Sequence, residues 1–506
     1  MNESENEKFD AIVIGGGLGG LSCAAHLAKR GCHVILFEQH HSVGGYATSF
    51  QRRAPDGDLF DFEASIHAIA GCGVNGIITQ ILRDLGAEND VRFVDISGTI
   101  MKLVLPDRTV DFCMDQGRFM NILIHQFPEE KESVRKFFGY LNRLWELLPD
   151  TKTKPLFSEG LSSELSDISK KSILSVFQSY FIDQRIFLCL YAPIAYCGLD
   201  LSQIDLLKYA AAMREVFLEK SYWISGGSRN LSQALALAIS QNGGEVRVGS
   251  RVRKIIVEDG KARGVELEDG SRIKSRCVVS NADATLTFLE MVGEENLPRE
   301  FLDSFKQMTA SWSYFQVYLG LDEKFQVPED LRSCFEIGIL PEQPDSGPKA
   351  GTSFAGLTNY TLLDPSLAEG GKQIVTIGTP LRVENLQDAW GVSSYLERNE
   401  AYYKRKNETA DHLISMAEKV YPGLREHILV MEAATPLTAQ RYTLNKNGCY
   451  VGFDLRHKRL PQRTPINDLY LAGAWTEPHG GVLGVILSGK QAAEMIIDEH
   501  FTTAAC

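Results

Sequence analysis

The amino-terminal segment 9–38 carries the pattern that most constrains how this chain folds. An apolar run of strand length, 9–14, leads into the glycine-rich loop 15–20, whose spacing is G-x-G-x-x-G. A segment of small residues with helical character follows, and then a second apolar strand, 33–37, which ends at Glu38. Strand, glycine loop, helix and strand in this order predict a parallel α/β sheet that binds a dinucleotide at the loop.

Each glycine of the loop has its own predicted role. Gly15 allows the tight turn, Gly17 lets the backbone approach a pyrophosphate, and Gly20 allows the helix to pack closely on the strand. The pyrophosphate would bind at the helix N-terminus, where backbone amides lack intrahelical partners and the helix dipole favours an anion. We therefore expect Leu18 and Gly19 to contribute to the same site.

The residues after the second strand distinguish between possible nucleotides. Glu38 is placed to accept hydrogen bonds from a ribose, and its carboxylate would repel a 2′-phosphate, which disfavours NADP. Gln39 follows it, and the pair Gly44-Gly45 before Tyr46 suits a second close approach of backbone to the nucleotide. An acid followed by a glycine pair at this spacing resembles the extended fingerprint of FAD oxidoreductases of the glutathione-reductase type. FAD is therefore the predicted cofactor.

The predicted fold class is α/β, with a Rossmann-like FAD-binding domain of the glutathione-reductase type and an inserted α+β substrate-binding domain. Strand and helix patterns return to the α/β type after residue 221 and again near the carboxyl terminus. Two turns, Asp259-Gly260 and Asp269-Gly270, predict a hairpin lying over the sheet. The FAD-binding domain is assigned to 1–95, 221–290 and 450–506, and the substrate-binding domain to 96–220 and 291–449.

Composition excludes several classes of function. The chain has 52 basic and 65 acidic residues and a net charge of −13, which argues against a general nucleic-acid binder, because such binding relies on Lys and Arg neutralising phosphates. Its 10 cysteines include no C-x-x-C pair, so neither a metal site nor a disulfide framework is expected.

The predicted location is the cytoplasm, with contact to a membrane surface allowed but no crossing. Residues 1–8 are mostly polar and carry three glutamates, unlike a signal peptide, and no apolar run reaches the ~18 residues that a transmembrane helix needs. The uncharged stretch 186–199 is the most apolar segment. It is interpreted as a buried helix or, alternatively, as a membrane-facing patch or the wall of a lipid tunnel.

The carboxyl-terminal region repeats the strand–glycine–helix arrangement. A strand, 468–471, is followed by glycine-rich sequence and by a helix predicted over about 486–498. Amides at this second helix start are expected to meet the flavin end of FAD and to stabilise negative charge there. The residues assigned to this contact are Gly473, Ala474, Trp475, Gly481, Val482 and Val485.

Four blocks of the sequence resemble the superfamily of FAD proteins that contains phytoene desaturases, carotenoid cis–trans isomerases and retinol saturases. They are the amino-terminal fingerprint through Gly45, the segment 60–67, the segment 226–281, and Thr435-Pro436-Leu437-Thr438 together with 471–476 and 480–485. The chain departs from the family at Glu63 and Ala64, where glycine is frequent, and at Gly480-Gly481, which follows His479 rather than another glycine.

The resemblance implies an apolar polyene substrate, such as a carotenoid or retinoid, and chemistry at its C–C or C=C bonds. Desaturation, saturation and redox-neutral cis–trans isomerisation all stay open, and the electron acceptor is not specified. His67, which follows a strand expected near the flavin, and His479 are the candidate catalytic residues. His67, Val252 and Asn281 are also assigned to the cofactor site. Candidate tunnel-lining aromatic residues are Phe177, Tyr180, Phe181, Tyr191, Tyr196, Trp312, Tyr314 and Phe315.

Two alternatives of other kinds stay open. An FAD-dependent amine oxidase would need an aromatic cage over the flavin and a carboxylate for the amine, and the sequence carries no signal for either. A non-catalytic flavin-binding protein would retain the cofactor without turnover. The sequence also shows no Ser-His-Asp, paired-carboxylate or metal constellation with recognisable spacing, which fits an enzyme whose cofactor supplies the reactive atoms.

Overall fold

The computed structural model describes residues 8–96, 101–148, 163–197, 201–340, 354–382, 386–454, 456–478 and 480–501, and these form a mixed α/β fold. The strands are β1 Lys8–Ile14, β2 Val34–Phe37, β3 Ser49–Arg53, β4 Leu59–Glu63, β5 Ile69–Ala70, β6 Phe93–Asp95, β7 Met101–Val104, β8 Thr109–Phe112, β9 Ser221–Ile224, β10 Glu245–Arg247, β11 Val252–Glu258, β12 Lys261–Leu267, β13 Arg272–Ser280, β14 Ser313–Leu321, β15 Glu336–Ile339, β16 Ala355–Asn359, β17 Gln373–Leu381, β18 Ile428–Ala434 and β19 Leu469–Leu471.

The α-helices lie between and after these strands, and a π-helical stretch, Leu286–Gly293, follows β13. They are α1 Leu18–Lys29, α2 Ile77–Leu85, α3 Gln116–Gln126, α4 Lys131–Leu147, α5 Ser163–Ile168, α6 Ile173–Tyr180, α7 Arg185–Tyr191, α8 Leu206–Leu218, α9 Arg229–Gln241, α10 Arg299–Phe305, α11 Leu386–Trp390, α12 Glu400–Ala417, α13 Pro436–Thr443 and α14 Val482–His500.

The first sheet has the strand order β10-β2-β1-β13-β12-β11, and β19 also pairs with β13. Its central strands are parallel, and their last residues stand side by side: Ile14 pairs with Phe37 and with Ser280, and Ser280 pairs with Leu471. The segments that follow these strands therefore meet at one edge of the sheet, which is where ligands bind in parallel α/β sheets.

Alternating burial explains why these segments form strands with helices on both sides. Ala11 and Val13 pack on one face against α1, α9 and α14, whereas Ile12 and Ile14 pack on the other face. Successive side chains of a strand point to opposite faces, so a continuous apolar run needs cover on both sides. The burial of these parallel strands on both faces confirms the predicted parallel core.

The second sheet has the order β18-β14-β17-β16-β15-β7-β8 and is antiparallel except for the β15–β7 pair. Its strands come from 101–112 and 313–434, outside the segments that supply the first sheet. Two small sheets, β3-β4 and β5-β9-β6, complete the strands. β7 and β8 pair antiparallel with each other across a short turn.

The predicted hairpin over the sheet is wrong in its position. β11, β12 and β13 pair antiparallel through both turns, but β13 itself pairs with β1, so the hairpins extend the first sheet at its edge. Periodicity could not show this, because one strand of the meander also has a parallel partner that is remote in sequence.

The apolar segment near residue 190 is mainly buried. α7 packs with α4, α6 and α8, and its residues Ile186, Cys189 and Leu190 are fully enclosed. One stripe of α4, including Val134, Phe137 and Leu141, is buried in the same cluster. Among the described residues, helices long and apolar enough to span a bilayer are absent.

Candidate functional site

The glycine loop after β1 forms the first wall of a large cavity. Gly15 adopts φ +94° and Gly17 caps the N-terminus of α1, so the first amides of the helix face outward from the sheet edge. A Cβ on Gly20 would overlap the carbonyl oxygen of Gly15. The close helix–strand approach expected at Gly20 is therefore present, although Gly20 does not itself line the cavity.

Asn281 covers this loop from the end of β13. The Asn281 side chain occupies the space that a side chain at Gly17 or Gly19 would need. A Cβ on Gly17 would stand 2.8 Å from Asn281 Nδ2, and a Cβ on Gly19 would stand 2.6 Å from Asn281 Oδ1. Gly473, which follows β19, adopts φ +92°, and a Cβ there would overlap Asn281 Oδ1. Glycine is thus required at three points partly because Asn281 occupies the space between them.

Glu38 follows β2 at the same edge and is buried. Its Oε2 accepts a hydrogen bond from the Gly16 amide at 2.7 Å, and its Oε1 accepts one from the His40 amide at 2.9 Å. A carboxylate oxygen can accept more than one hydrogen bond, so Glu38 keeps acceptor capacity toward the cavity that it lines. This geometry suits the ribose role predicted for it.

The second glycine pair supports the loop directly. Gly44 pairs with Gly17 in a short parallel bridge, and its amide donates to the Gly16 carbonyl at 2.7 Å. Gly44 adopts φ +126°, a conformation that other residues rarely adopt. Tyr46 follows, with its hydroxyl donating to the Cys449 carbonyl at 3.0 Å and its ring stacked on Tyr450 at 4.2 Å.

The carboxyl-terminal glycine segment joins the same cavity. α1 and α14 pack so closely that a Cβ on Gly489 would stand 2.8 Å from the Cys23 nitrogen. Residues at the N-termini of both helices line one cavity of about 1830 Å³. The predicted residues that line it are Gly15, Gly17, Leu18, Gly19, Glu38, Gln39, Gly44, Gly45, Tyr46, His67, Val252, Asn281, Ala474, Trp475, Gly481, Val482 and Val485. His479 lies outside the described residues.

A buried guanidinium also borders this half of the cavity. Arg459 donates from Nη1 to the carbonyl oxygens of Val451 at 3.1 Å and Ala474 at 2.9 Å. Its Nε and Nη2 are buried and have no hydrogen-bond partner among the described residues. Burial lowers the pKa of Arg459 to about 10, which leaves it charged at neutral pH. The sequence pattern gave no signal for this residue.

These residues fit a dinucleotide. Two helix N-termini and a glycine loop, which side chains would block, suit a pyrophosphate, and Glu38 suits a ribose. The cavity continues from this region toward the second sheet, so a longer group than a mononucleotide can be held. Within the ranges that the structure describes, no group of three His, Cys, Asp or Glu side chains has metal-binding geometry.

The part of the cavity next to the second sheet contains a histidine–carboxylate pair. His67 Nδ1 lies 3.1 Å from Glu336 Oε1 on β15 and 3.1 Å from Thr358 Oγ1 on β16. Glu336 and Thr358 are opposite each other in the β15–β16 register. All three residues line the cavity. Sequence analysis identified His67 but neither partner, because each lies more than 250 positions away.

Neighbouring polar side chains are held by internal hydrogen bonds. Tyr318 OH lies 2.6 Å from the Ala64 carbonyl oxygen and 2.7 Å from Gln316 Oε1. Burial raises the pKa of Tyr318 well above its usual value, so the phenol is neutral. Glu63, fully buried nearby, accepts from the Ser228 amide at 2.8 Å and the Ser228 hydroxyl at 2.7 Å, and burial raises its pKa to about 7.

The remaining wall of the cavity is apolar, and we call it the apolar wing. β7, β8, the segment after α7, and α8 supply it, although α8 also adds the charged side chains Lys208, Arg214 and Glu215. Its members are Met101, Phe112, Met114, Ala192, Pro193, Ala195, Ala211, Ala212, Val216 and Phe354.

Most of the aromatic residues predicted to line a tunnel lie elsewhere, apart from Tyr196, whose side chain is not among those that the structure describes. Tyr314 lines the cavity, whereas Phe177 and Phe181 lie in the helical core and Phe315 lies in the core beneath the second sheet. Aromatic content alone could not separate a cavity wall from a core, since both are apolar. The apolar wing instead combines alanine and methionine side chains with Phe112 and Phe354.

The family was decided by comparison with known proteins. A family model described as flavin containing amine oxidoreductase matches residues 18–497. The chain belongs to this family. It is therefore an FAD-dependent oxidoreductase, and the flavin of this family accounts for the dinucleotide site described above.

Relatives within this family of flavin-containing oxidoreductases match nearly the whole chain. The chain is 28% identical over 529 residues to a chloroplastic prolycopene isomerase of Daucus carota, covering 97% of this chain and 80% of the relative. It is 24% identical to the 4,4'-diapophytoene desaturase (4,4'-diapolycopene-forming) of Methylomonas sp, covering 97% and 95%. It is also 24% identical to the inactive all-trans-retinol 13,14-reductase of Danio rerio, covering 94% and 84%. The superfamily resemblance found in the sequence is confirmed.

Solved structures show the same fold. An oxidoreductase from Methanosarcina mazei superposes with a TM-score of 0.65 at 19% identity, covering 96% of this chain and 99% of the other. Wild-type putrescine oxidase bound to putrescine superposes with a TM-score of 0.65 at 14% identity, covering 97% and 99%. At these identities the likeness establishes a fold shared with flavoenzymes and carries no information on substrate.

Proposed function

We propose that this flavoenzyme changes a C–C or C=C bond of an apolar polyene, of the carotenoid or retinoid kind, by desaturation, saturation or cis–trans isomerisation. The observation that carries the proposal is the apolar wing, which is continuous with the dinucleotide part of the cavity. A hydrocarbon chain offers few groups for hydrogen bonding, so its binding must come from buried apolar area, at ~25 cal/mol per Å².

Relatives support this substrate class. The matched proteins are named as a prolycopene isomerase, a 4,4'-diapophytoene desaturase and an inactive all-trans-retinol 13,14-reductase, and all of them cover most of this chain. The reactions in these names differ in electron balance, while the molecules in them all have an isoprenoid hydrocarbon body. The shared scaffold therefore supports the substrate class and leaves the three reactions to be separated by experiment.

The finer architecture is part of the same proposal. We assign the first sheet with α1, α9 and α14 to an FAD-binding domain of the glutathione-reductase type, and the second sheet with the helices around the apolar wing to an inserted substrate-binding domain. The boundaries are those predicted from the sequence. The separate origins of the two sheets along the chain support this division.

The chain's own residues hold and orient the cofactor. Gly17 and Gly19 would present amides to the pyrophosphate, Glu38 would accept from the ribose, and Trp475 with Val482 would hold the flavin end. When bound, FAD supplies the hydride acceptor or donor. The protein's remaining contribution is to exclude water from the apolar wing and to align one bond of the substrate with the cofactor.

Product mass separates the reactions. Purified holoenzyme, in its oxidised and its chemically reduced forms, is incubated without air with lycopene isomers, phytoene-like hydrocarbons and retinol. Loss of a pair of hydrogens identifies desaturation, gain identifies saturation, and unchanged mass with a new absorption spectrum identifies isomerisation. Flavin reduction by simple amines, with all polyenes unchanged, would overturn the proposal in favour of an amine oxidase.

Contact with membranes is a separate proposal. The sequence predicts a cytoplasmic protein and allows contact with a membrane surface. We propose this contact because a polyene substrate dissolves in membranes rather than in water. Flotation with neutral and anionic vesicles tests this directly: the protein should move with the vesicles. A protein that stays at the bottom of the gradient with both vesicle types would contradict membrane contact without affecting the assigned chemistry.

A further inference from the structure

A histidine–carboxylate pair at the border of the apolar wing needs an explanation. Burying polar groups is costly unless they are paired, and the His67–Glu336 contact satisfies only one nitrogen of the ring. Nε2 of His67 has no hydrogen-bond partner among the residues that the structure describes. The histidine side chain is 30% exposed and that of Glu336 is 22% exposed, and both line the cavity.

The carboxylate determines which ring nitrogen carries the proton. An ionised Glu336 can only accept, so the proton of a neutral His67 is held on Nδ1, and Nε2 keeps its lone pair. In the imidazolium form, Nε2 carries a proton instead. The pair can therefore take up or release a proton at Nε2 while Nδ1 stays bonded to Glu336, and this is the arrangement that general acid–base catalysis requires.

The position of His67 is fixed from both sheets. Its loop is tied to the cofactor side, since Ser65 Oγ donates to the Tyr46 carbonyl at 2.9 Å and the Ile66 amide donates to Glu63 at 3.2 Å. Tyr46 directly follows the glycine pair that contacts the phosphate loop. Glu336 holds the ring from the second sheet. His67 therefore lies where the dinucleotide part of the cavity meets the substrate part.

Other titratable side chains of the lining are less suited to this role. Burial keeps the phenols of Tyr318 and Tyr450 neutral by raising their pKa values. His40 bonds the Tyr442 carbonyl through Nε2 at 2.6 Å, beside Glu38 at the ribose end. His457 is bonded through Nε2 to Thr309. His41 also lines the cavity, but it is exposed and lies three positions after Glu38, at the ribose end. Beside the second sheet, His67 is the lining histidine whose Nε2 has no partner among the described residues.

We propose that His67 is the proton-transfer group for the reacting carbon–carbon bond and that Glu336 is its positioning residue. This inference rests on the proposed function. In saturation, one alkene carbon takes the Nε2 proton of the imidazolium, the other carbon takes a hydride from reduced FAD, and the two π electrons become a C–H bond. His67 ends neutral and the cofactor ends oxidised.

The same pair serves the other two reactions. In desaturation the steps are reversed: neutral Nε2 removes a proton from one carbon, and the neighbouring carbon loses a hydride to oxidised FAD. In isomerisation the polyene carbon takes the Nε2 proton, the former double bond rotates, and Nε2 removes a proton again, so that no electrons are exchanged. Each route uses one proton site, which the structure places at Nε2.

The test compares two variants with matched controls in the full-length holoenzyme. His67→Gln should retain FAD and slow the single-turnover reaction of the bound polyene about 10²–10⁴-fold, the usual range for loss of a general acid or base. Glu336→Gln should slow it by an intermediate factor, with little change in KM, because the ring loses its orientation. Thr358→Val removes only a hydroxyl beside Nδ1 and should have the smallest effect of the three.

A remote pair of the same kind controls for general damage. His427 Nδ1 lies 2.8 Å from Asp322 Oδ1 outside the cavity lining, so His427→Gln should leave turnover unchanged. Selective ¹⁵N labelling of histidine gives a readout that needs no substrate. Neutral His67 should be protonated on Nδ1 in the wild type, and Glu336→Gln should weaken this tautomer preference.

The outcomes separate two failures. Absence of any polyene reaction in the wild type would overturn the proposed function and this inference with it. Wild-type turnover together with normal turnover in flavin-loaded His67→Gln, or a neutral His67 protonated on Nε2, would overturn this inference alone. If His67→Gln does not fold, Glu336→Gln decides: full activity with an unchanged tautomer signal refutes the positioning role.

Discussion

The contact between α1 and α14 gives the most quantitative prediction. These helices carry the two N-termini that open on the large cavity, and they approach each other at Gly489. A Cβ at this position would overlap the Gly19 carbonyl oxygen and would stand 2.8 Å from both the Cys23 nitrogen and Ser22 Cβ. Carbon atoms in contact normally lie about 3.5–4.0 Å apart, so Gly489→Ala forces the helices apart by roughly 1 Å.

The expected cost follows from this displacement. Overpacking by one methyl group in a packed interior costs about 1–3 kcal/mol, and alanine regains about 0.5–1 kcal/mol because it favours the helix more than glycine does. A net destabilisation of about 1–2 kcal/mol is expected. Because α1 presents the phosphate loop, FAD binding should weaken as well.

Gly139 in α4 provides a matched control. A Cβ there would meet only Arg143 Nη1, at 4.0 Å, so Gly139→Ala should stabilise the protein by about 0.5–1 kcal/mol. Urea denaturation gives both free energies of unfolding, and visible absorbance after gel filtration gives the FAD content. If Gly489→Ala proved as stable as Gly139→Ala and retained full FAD, the packing account of this contact would be refuted.

Three further predictions concern the cofactor half and a buried acid. Gly17→Leu should give colourless protein, because the side chain would collide with Asn281 and cover the phosphate amides; yellow, fully loaded protein would refute the assignment. Arg459→Met should raise the Kd for FAD at least about tenfold if its free guanidinium edge meets cofactor oxygens, measured by flavin fluorescence titration; an unchanged Kd would exclude that contact. Burial raises the pKa of Glu63 to about 7, so the folded state binds more protons than the unfolded state between about pH 4.5 and 7. The free energy of unfolding should therefore fall by about 3 kcal/mol as the pH rises through this range. Subtracting the unfolding free energies of Glu63→Gln from those of the wild type isolates this pH dependence, and a flat difference would contradict it.

The cofactor site could be predicted because its signals are local. Gly15, Gly17 and Glu38 are joined by one strand–helix–strand unit, and the geometry of that unit follows from spacing along the chain. The second glycine segment around Gly473 was also recognisable. Since parallel strands end together at one edge, residues that follow different strands are brought together whatever their separation in sequence.

The substrate side needed the tertiary structure. Glu336 and Thr358 meet His67 only because the β15–β16 register places them side by side, and nothing near either residue in the sequence marks this partnership. The same applies to Phe177, which packs in a core instead of lining the cavity.

Local sequence patterns were enough to predict a dinucleotide-binding α/β fold, FAD as the cofactor and a resemblance to polyene-acting flavoproteins. Three features became visible in the folded chain alone: which side chains share the cavity, that Asn281 fills the space above the glycines, and that a carboxylate holds His67. The difference lies in the range over which each constraint acts. Backbone geometry and hydrophobic periodicity act over a few residues, whereas the contacts of a cavity depend on how separate sheets and helices pack.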